Sequence, residues 1–181
     1  FEAVENDEEE ELQELVEAGA RVDDIDWQGR TALMHAAAQG LLGATETLLS
    51  LESSCEQQDH TGATALLWAA GNGQDEAVLL LLDAGAALDH ANHEGDTALM
   101  LASGRGEAPI VSHLLSAGTG AEASNLRGWT ALMFASQWYS AEAVDALLGA
   151  GAPVDASSAE GVTSLLIASA CGNTRAASAL V

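Results

Sequence analysis

Lysine is absent from this chain of 181 residues, and its five basic residues are all arginine, set against 28 Asp and Glu. The formal charge of −23 argues against bare nucleic acid as a partner, because phosphate binding needs clustered cations that release counterions. It favours a basic protein or peptide, drawn by long-range attraction. Cysteine is scarce too: Cys55 and Cys171 are too few for a disulfide framework and lack CxxC or metal spacing. That usage suits a reducing compartment, cytoplasmic or nuclear. The longest apolar run, AVLLLL at 77–82, falls well short of the ~20 residues that span a bilayer. No charged-then-apolar leader opens the chain and its first residue is Phe1, as expected of a processed product or a fragment. Aromatic residues make up only 4% of the chain, but hydrophobic residues make up 48%, enough for one sizeable ordered domain.

What acid there is lies unevenly. Twelve of the 28 carboxylates fall within the first 26 residues, centred on the run Asp7-Glu8-Glu9-Glu10-Glu11, which reads as a solvated helix face or terminus. The lack of lysine is compatible with a GC-rich genome, adaptation to high salt, or avoidance of lysine-directed modification such as ubiquitin attachment.

The tripeptide Thr-Ala-Leu recurs at Thr31, Thr64, Thr97 and Thr130, and Thr-Ser-Leu follows at Thr163, each 33 residues after the last. Glycine columns keep the same step: Gly29, Gly62, Gly95, Gly128 and Gly161 in one, and Gly40, Gly73, Gly106 and Gly172 in a second, with Tyr139 as its fourth member. A third runs Gly19, Glu52, Gly85, Gly118 and Gly151. Such periodicity marks a stack of supersecondary units, none able to bury its apolar face alone. Each unit reads as two short helices and an extended turn. TALLWAAGN at 64–72 is a compact Ala-rich helix, and DEAVLLLLDAG at 75–85 is a second helix with its stop glycine. The Leu pairs Leu48-Leu49, Leu81-Leu82, Leu114-Leu115 and Leu147-Leu148 supply a continuous core, at roughly 1.5–3 kcal/mol per buried side chain.

With TALMHAA, TALLWAA, TALMLAS, TALMFAS and TSLLIAS at that spacing, the chain resembles the ankyrin-repeat family and its T-P-L-H-x-A signature. Ala or Ser stands for the signature Pro, and Met34, Leu67, Met100, Met133 and Leu166 stand for its His, so packing is expected to replace that His in joining turns. The resemblance implies an all-α solenoid of stacked helix-turn-helix units with projecting β-turn hairpins. In this register residues 1–29 hold a partial repeat with an acidic cap around Glu8 to Glu17, 30–161 hold four complete repeats, and 162–181 a truncated one. The apolar AASALV ending leads us to expect further chain.

No motif points to catalysis: there is no GxxxxGK[ST] loop, GxSxG elbow or HExxH pair, and no cofactor is expected. Cys55 with His60 lacks an evident orienting group. His90 and His93 with Asp89 would need a third converging ligand to hold a metal, and turn histidines at solvent are the simpler reading. The acid column Asp23, Glu56, Asp89, Glu122 and Asp155 reads chiefly as acceptors for turn backbone N–H groups, a role that suits the Asp members better than the longer Glu.

The family resemblance implies that a partner is held by turn tips and by the inner helices lining the concave side. Trp129 and Trp138 fall in such columns, and Tyr139 replaces the inter-helix glycine. These three, helped by Arg105 and Arg127, are the expected anchors, with Trp27, His60 and His93 at turn tips. Packing of Trp138 and Tyr139 back over a gap between repeats is the competing reading; Trp68, whose column holds His35, Leu101, Phe134 and Ile167, reads as largely packing. The function expected is a non-enzymatic module binding a protein or peptide. The alternatives are the recruiting segment of a larger enzyme, such as a ubiquitin-ligase adaptor, kinase or acyltransferase, and a purely structural spacer.

Overall fold

The computed structural model describes residues 2–5, 9–138 and 140–181. The described residues form twelve helices and no strand, with isolated antiparallel bridges joining Ile25 to Thr31, Ser124 to Thr130 and Ser157 to Thr163. Two compact units divide the chain, Phe1–Asn92 and His93–Val181. The first contains α1 (Glu2–Glu5), α2 (Glu9–Glu17), α3 (Ala32–Gln39), α4 (Leu42–Ser50), α5 (Ala65–Asn72) and α6 (Asp75–Asp83). There α3 packs on α5, α4 on α6, and α1 and α2 cover α3 and α4. The second contains α7 (Ala98–Ser103), α8 (Ala108–Ala117), α9 (Ala131–Gln137), α10 (Ala141–Gly149), α11 (Ser164–Cys171) and α12 (Thr174–Ala179). Here α9 lies between α7 and α11, and α10 between α8 and α12.

The recurring threonine explains where the inner helices begin. Thr31, Thr97, Thr130 and Thr163 have extended backbone, and each side-chain oxygen accepts the N–H three residues on, from Met34, Met100, Met133 and Leu166. Such a cap satisfies an N–H that the helix leaves orphaned and contributes about 1 kcal/mol. Thr64 has the same backbone but no side-chain bond. Behind the caps the core is columnar: Leu33, Leu66, Leu99 and Leu132 are essentially fully buried, as are Met34, Leu67, Met100 and Met133. Four of the five residues in the signature His position are therefore core, whereas Leu166 in the last repeat is 57% exposed. Ala36, Ala69, Ala102 and Ala135 keep the adjoining helices close. Of each Leu pair the first member, Leu48, Leu81, Leu114 or Leu147, is fully buried and the second half-buried. At α2, Leu12 is buried and Leu15 exposed; Glu8 of the expected cap lies outside the described residues.

Helix endings differ among the copies: α7 ends at right-handed Gly104, φ −71°, with left-handed Gly106 two residues on. At α3, α5 and α11 the glycines Gly40, Gly73 and Gly172 adopt left-handed backbone, with φ of 71, 77 and 73°, and return their N–H to the helix. Helix α9 stops instead at Trp138, whose backbone is extended at φ −102°, ψ 152°. Tyr139 lies outside the described residues. In the third glycine column Glu52 is left-handed with φ 63°, the only described non-glycine residue with positive φ.

Candidate interaction surface

Four hairpins are each organised by one short side chain. Asp26 Oδ1 accepts the amides of Gln28 and Arg30, and Asp59 Oδ1 those of Thr61 and Ala63. Asn125 Oδ1 accepts those of Arg127 and Trp129, and Ser158 Oγ those of Glu160 and Val162. Positions 26, 59, 125 and 158, which share one column of the 33-residue repeat, therefore supply a turn acceptor whatever their charge. Backbone bonds then join neighbouring hairpins within a unit: His60 N–H to Gln28 O in the first, Leu126 N–H to Glu94 O and Ala159 N–H to Arg127 O in the second. The approach is close enough to require glycine at 128, where φ is 73° and a Cβ would lie 3.2 Å from Ser158 Cα.

In the first unit the second carboxylate oxygen is also engaged. Asp26 Oδ2 receives His35 Nε2–H at 2.9 Å, and Asp59 Oδ2 receives the Trp68 indole N–H at 3.0 Å. Arg30 lies with its Nε 3.9 Å from that same Asp59 oxygen and its guanidinium carbon 4.1 Å from the centre of the Trp68 ring. Trp68 is thus more than packing: it is a hydrogen-bond donor under a cation. Burial raises the pKa of Asp59, but bonds from the Thr61 hydroxyl, the Ala63 and Thr61 amides and the indole outweigh it and hold the carboxyl below its ordinary value. Asp26 behaves alike, burial being outweighed chiefly by the Arg30 amide and His35.

The second unit builds an apolar strip from the same columns. Trp129 stands over Phe134, ring centroids 5.2 Å apart and tilted by 53°, and the Arg127 guanidinium lies 5.7 Å from the Trp129 ring centre. Beyond, the Phe134 ring reaches the α7–α8 link, where a Cβ on Gly104 would be 3.3 Å from its Cδ1. Trp138 meets the same link two residues on, its Cβ 3.5 Å from where a Cβ on Gly106 would stand. Exposed Arg105 lies in sequence between these two contacts. Trp138 is 49% exposed, and its carbonyl accepts a 2.7 Å bond from Asn173 Nδ2. Asn173, only 2% exposed, also caps α12 through the Ala176 amide. Leu126, at the hairpin tip, is 79% exposed.

The family model described as "Ankyrin repeats (3 copies)" matches residues 44–123 and 104–181. The chain belongs to the ankyrin-repeat family. No curated protein matches it. Ankyrin repeats are generally protein–protein interaction modules, typically non-catalytic. Among the described residues no helix is long and apolar enough to cross a membrane.

The sequence-expected residues of this ankyrin chain fall in both units. Trp129, Trp138, Arg105 and Arg127 share the second unit with His93, which is exposed. Trp27 and His60 lie in the first, Trp27 84% exposed at its hairpin and His60 exposed at the next. Phe134, a member of the strip, lies in the column that the sequence assigns to packing. Two members of the acid column bond to backbone: Asp23 accepts from the Ser53 hydroxyl and Ser54 amide, and Glu56 from the Ala87 amide 31 residues on. These bonds reach the next repeat's turn, so a Glu serves as well as an Asp. The position 31 residues after Glu122 is Pro153, which has no N–H to offer.

His90 Nε2–H donates to Gly62 O at 2.8 Å, tying it into the turn system. Burial, with Glu56 and Asp23 nearby, pushes the Cys55 thiol up and away from nucleophilic thiolate. Among the described residues no three His, Cys, Asp or Glu side chains converge on a metal-sized site.

Proposed function

We propose that this chain is a non-enzymatic ankyrin module that grips a partner protein or peptide on the strip formed by Trp129, Phe134 and Trp138, with Arg127 and Arg105 beside it. The observation that carries the reading is the half-exposed Trp138 indole, whose backbone is fixed by the buried Asn173. A surface aromatic whose backbone is already fixed has less freedom to lose on binding, and aromatics and Arg are the residues that most often dominate interfaces. Tyr139, adjacent in sequence, belongs to the same proposal, and Trp27, His60 and His93 are secondary contacts at hairpins.

Charge assigns a different role to the rest of the chain. Residues 1–92 carry 20 of the 28 carboxylates and two of the five arginines, a field that steers partners with basic surfaces and speeds their arrival more than it tightens the complex. Affinity capture from a source-cell lysate, comparing the native chain with a Trp129→Ala/Trp138→Ala variant at low and high salt, tests the reading once circular dichroism shows both folded. A partner kept by the native chain and lost by the variant is the expected result; identical captures by both would overturn it.

A further inference from the structure

The arginines of this chain are not equivalent. Arg21 pairs with Asp24 at 3.6 Å, Arg30 with Asp59 at 3.9 Å and Arg175 with Glu142 at 3.1 Å. Arg127 makes no ion pair with any described carboxylate, in a protein with 28 of them. Two acids of the neighbouring hairpins are engaged elsewhere: Asp96 accepts from Asn125 Nδ2 at 2.7 Å and Glu160 from the Ser158 hydroxyl at 2.8 Å. The Arg127 backbone is held on both sides, its N–H by Asn125 Oδ1 and its carbonyl by the Ala159 amide. Its side chain is exposed beside the strip and lies over the Trp129 ring. A guanidinium resting near an indole keeps N–H donors at its edge for a carboxylate, and the aromatic beneath it limits the freedom lost when that pair forms.

The geometry points to a docking segment of mixed chemistry: a peptide whose apolar or aromatic side chains cover Trp129 and Phe134 and whose adjacent Asp or Glu meets Arg127. This inference rests on the strip being the docking surface, and it specifies what sits there. The segment is acidic at that one place, while the partner's remaining surface answers to the acidic first unit. Unit His93–Val181 opposes such a segment only weakly, since it carries eight carboxylates and three arginines.

A random-peptide display library panned against the full chain tests this. Selected peptides are synthesised and titrated by fluorescence polarisation against the native chain, Trp129→Ala/Trp138→Ala, Arg127→Ala and Arg127→Glu, each checked for folding. Expected are peptides enriched in Asp or Glu beside Leu, Phe or Trp. They should lose binding to the aromatic variant and weaken about tenfold with Arg127→Ala, the scale of one charge-assisted contact. Arg127→Glu should prefer the same peptides with Lys in place of the acid. Peptides that need the tryptophans but carry no acid, or that bind Arg127→Glu unchanged, would overturn the inference and leave the docking surface standing. Peptides indifferent to both tryptophans would overturn the docking surface itself, and the inference with it.

Discussion

The two units answer the same structural demand with opposite chemistry. At corresponding positions the first has Asp26 and Asp59, each with a donor nine residues on, His35 and Trp68; its last member of the column is Asn92, followed at that interval by Leu101. The second has Asn125 and Ser158, followed at the same interval by Phe134 and Ile167. In these four hairpins one side-chain oxygen accepts two backbone N–H groups; what differs is the rest of the side chain. A carboxylate has a further oxygen that must be satisfied when buried, so the inner helix offers a donor. The Asn125 amide N–H and the Ser158 hydroxyl find their partners within the hairpins, in Asp96 and Glu160, so the inner helix is free to offer an apolar side chain. The surface chemistry of the inner helix is thus coupled to the identity of one turn residue.

Breaking the polar side should have the largest effect. Asp59→Ala strips acceptors from Thr61, Ala63 and Trp68 and the counter-charge from Arg30, and should destabilise the chain by about 3 kcal/mol in urea unfolding. Asp59→Asn, which keeps the turn acceptor, should cost about half as much. Importing charge into the other unit comes next. Asn125→Asp sets a carboxylate against Asp96 where an N–H now bonds to it, for an expected loss of about 2 kcal/mol at neutral pH, recovered in part as either acid protonates. Adding Phe134→His to that variant supplies the donor the first unit uses, and a double-mutant cycle should show favourable coupling of about 1 kcal/mol.

Acid sharpens the same contrast without mutation. Asp26 and Asp59 have folded-state pKa values below the ordinary carboxylate value. Their contribution is therefore fully present above the unfolded pKa of about 4 and is lost as pH falls through the folded values. Hydrogen exchange, corrected for intrinsic rates, should show the amides of Gln28, Arg30, Thr61 and Ala63 losing protection below about pH 4, before those of Arg127, Trp129, Glu160 and Val162. Asn173→Ala frees the Trp138 carbonyl and the α12 cap, at about 1–2 kcal/mol, and should change Trp138 emission; Asn173→Asp, which keeps only the cap acceptor, should restore stability more than emission. The smallest effect runs the other way. Glu52→Gly relieves a left-handed residue and should raise stability by up to about 1 kcal/mol, read as a rise in Tm.

The helices were legible because the 33-residue step repeats identical residues: Thr at the cap, Leu and Met behind it, Gly at the stop. The hairpin acceptor was not, because its column varies through Asp, Asn and Ser, and only the geometry shows that these do one job. Trp68 and Phe134 were read together as packing because their column is mostly apolar. Its polarity becomes intelligible only beside the turn residue nine positions earlier. The acid column reads as a turn acceptor, and the bonds of Asp23 and Glu56 to the following repeat become visible only once successive turns lie side by side. Trp129 and Trp138 stood out as residues the repeat does not need; the backbone change at Trp138 and its anchor Asn173 lie 35 residues apart and share no local pattern.

The pairing of turn residue with inner-helix residue also constrains how such a chain diverges. A repeat cannot drift from the polar to the apolar form by one substitution without passing through a buried carboxylate lacking its donor, or a donor lacking its carboxylate. The two must change together or through a neutral intermediate such as Ser158. Lineages of this protein would then be expected to alter their recognition surface in jumps of two linked positions, with the hairpin recording which surface the neighbouring helix is permitted to display.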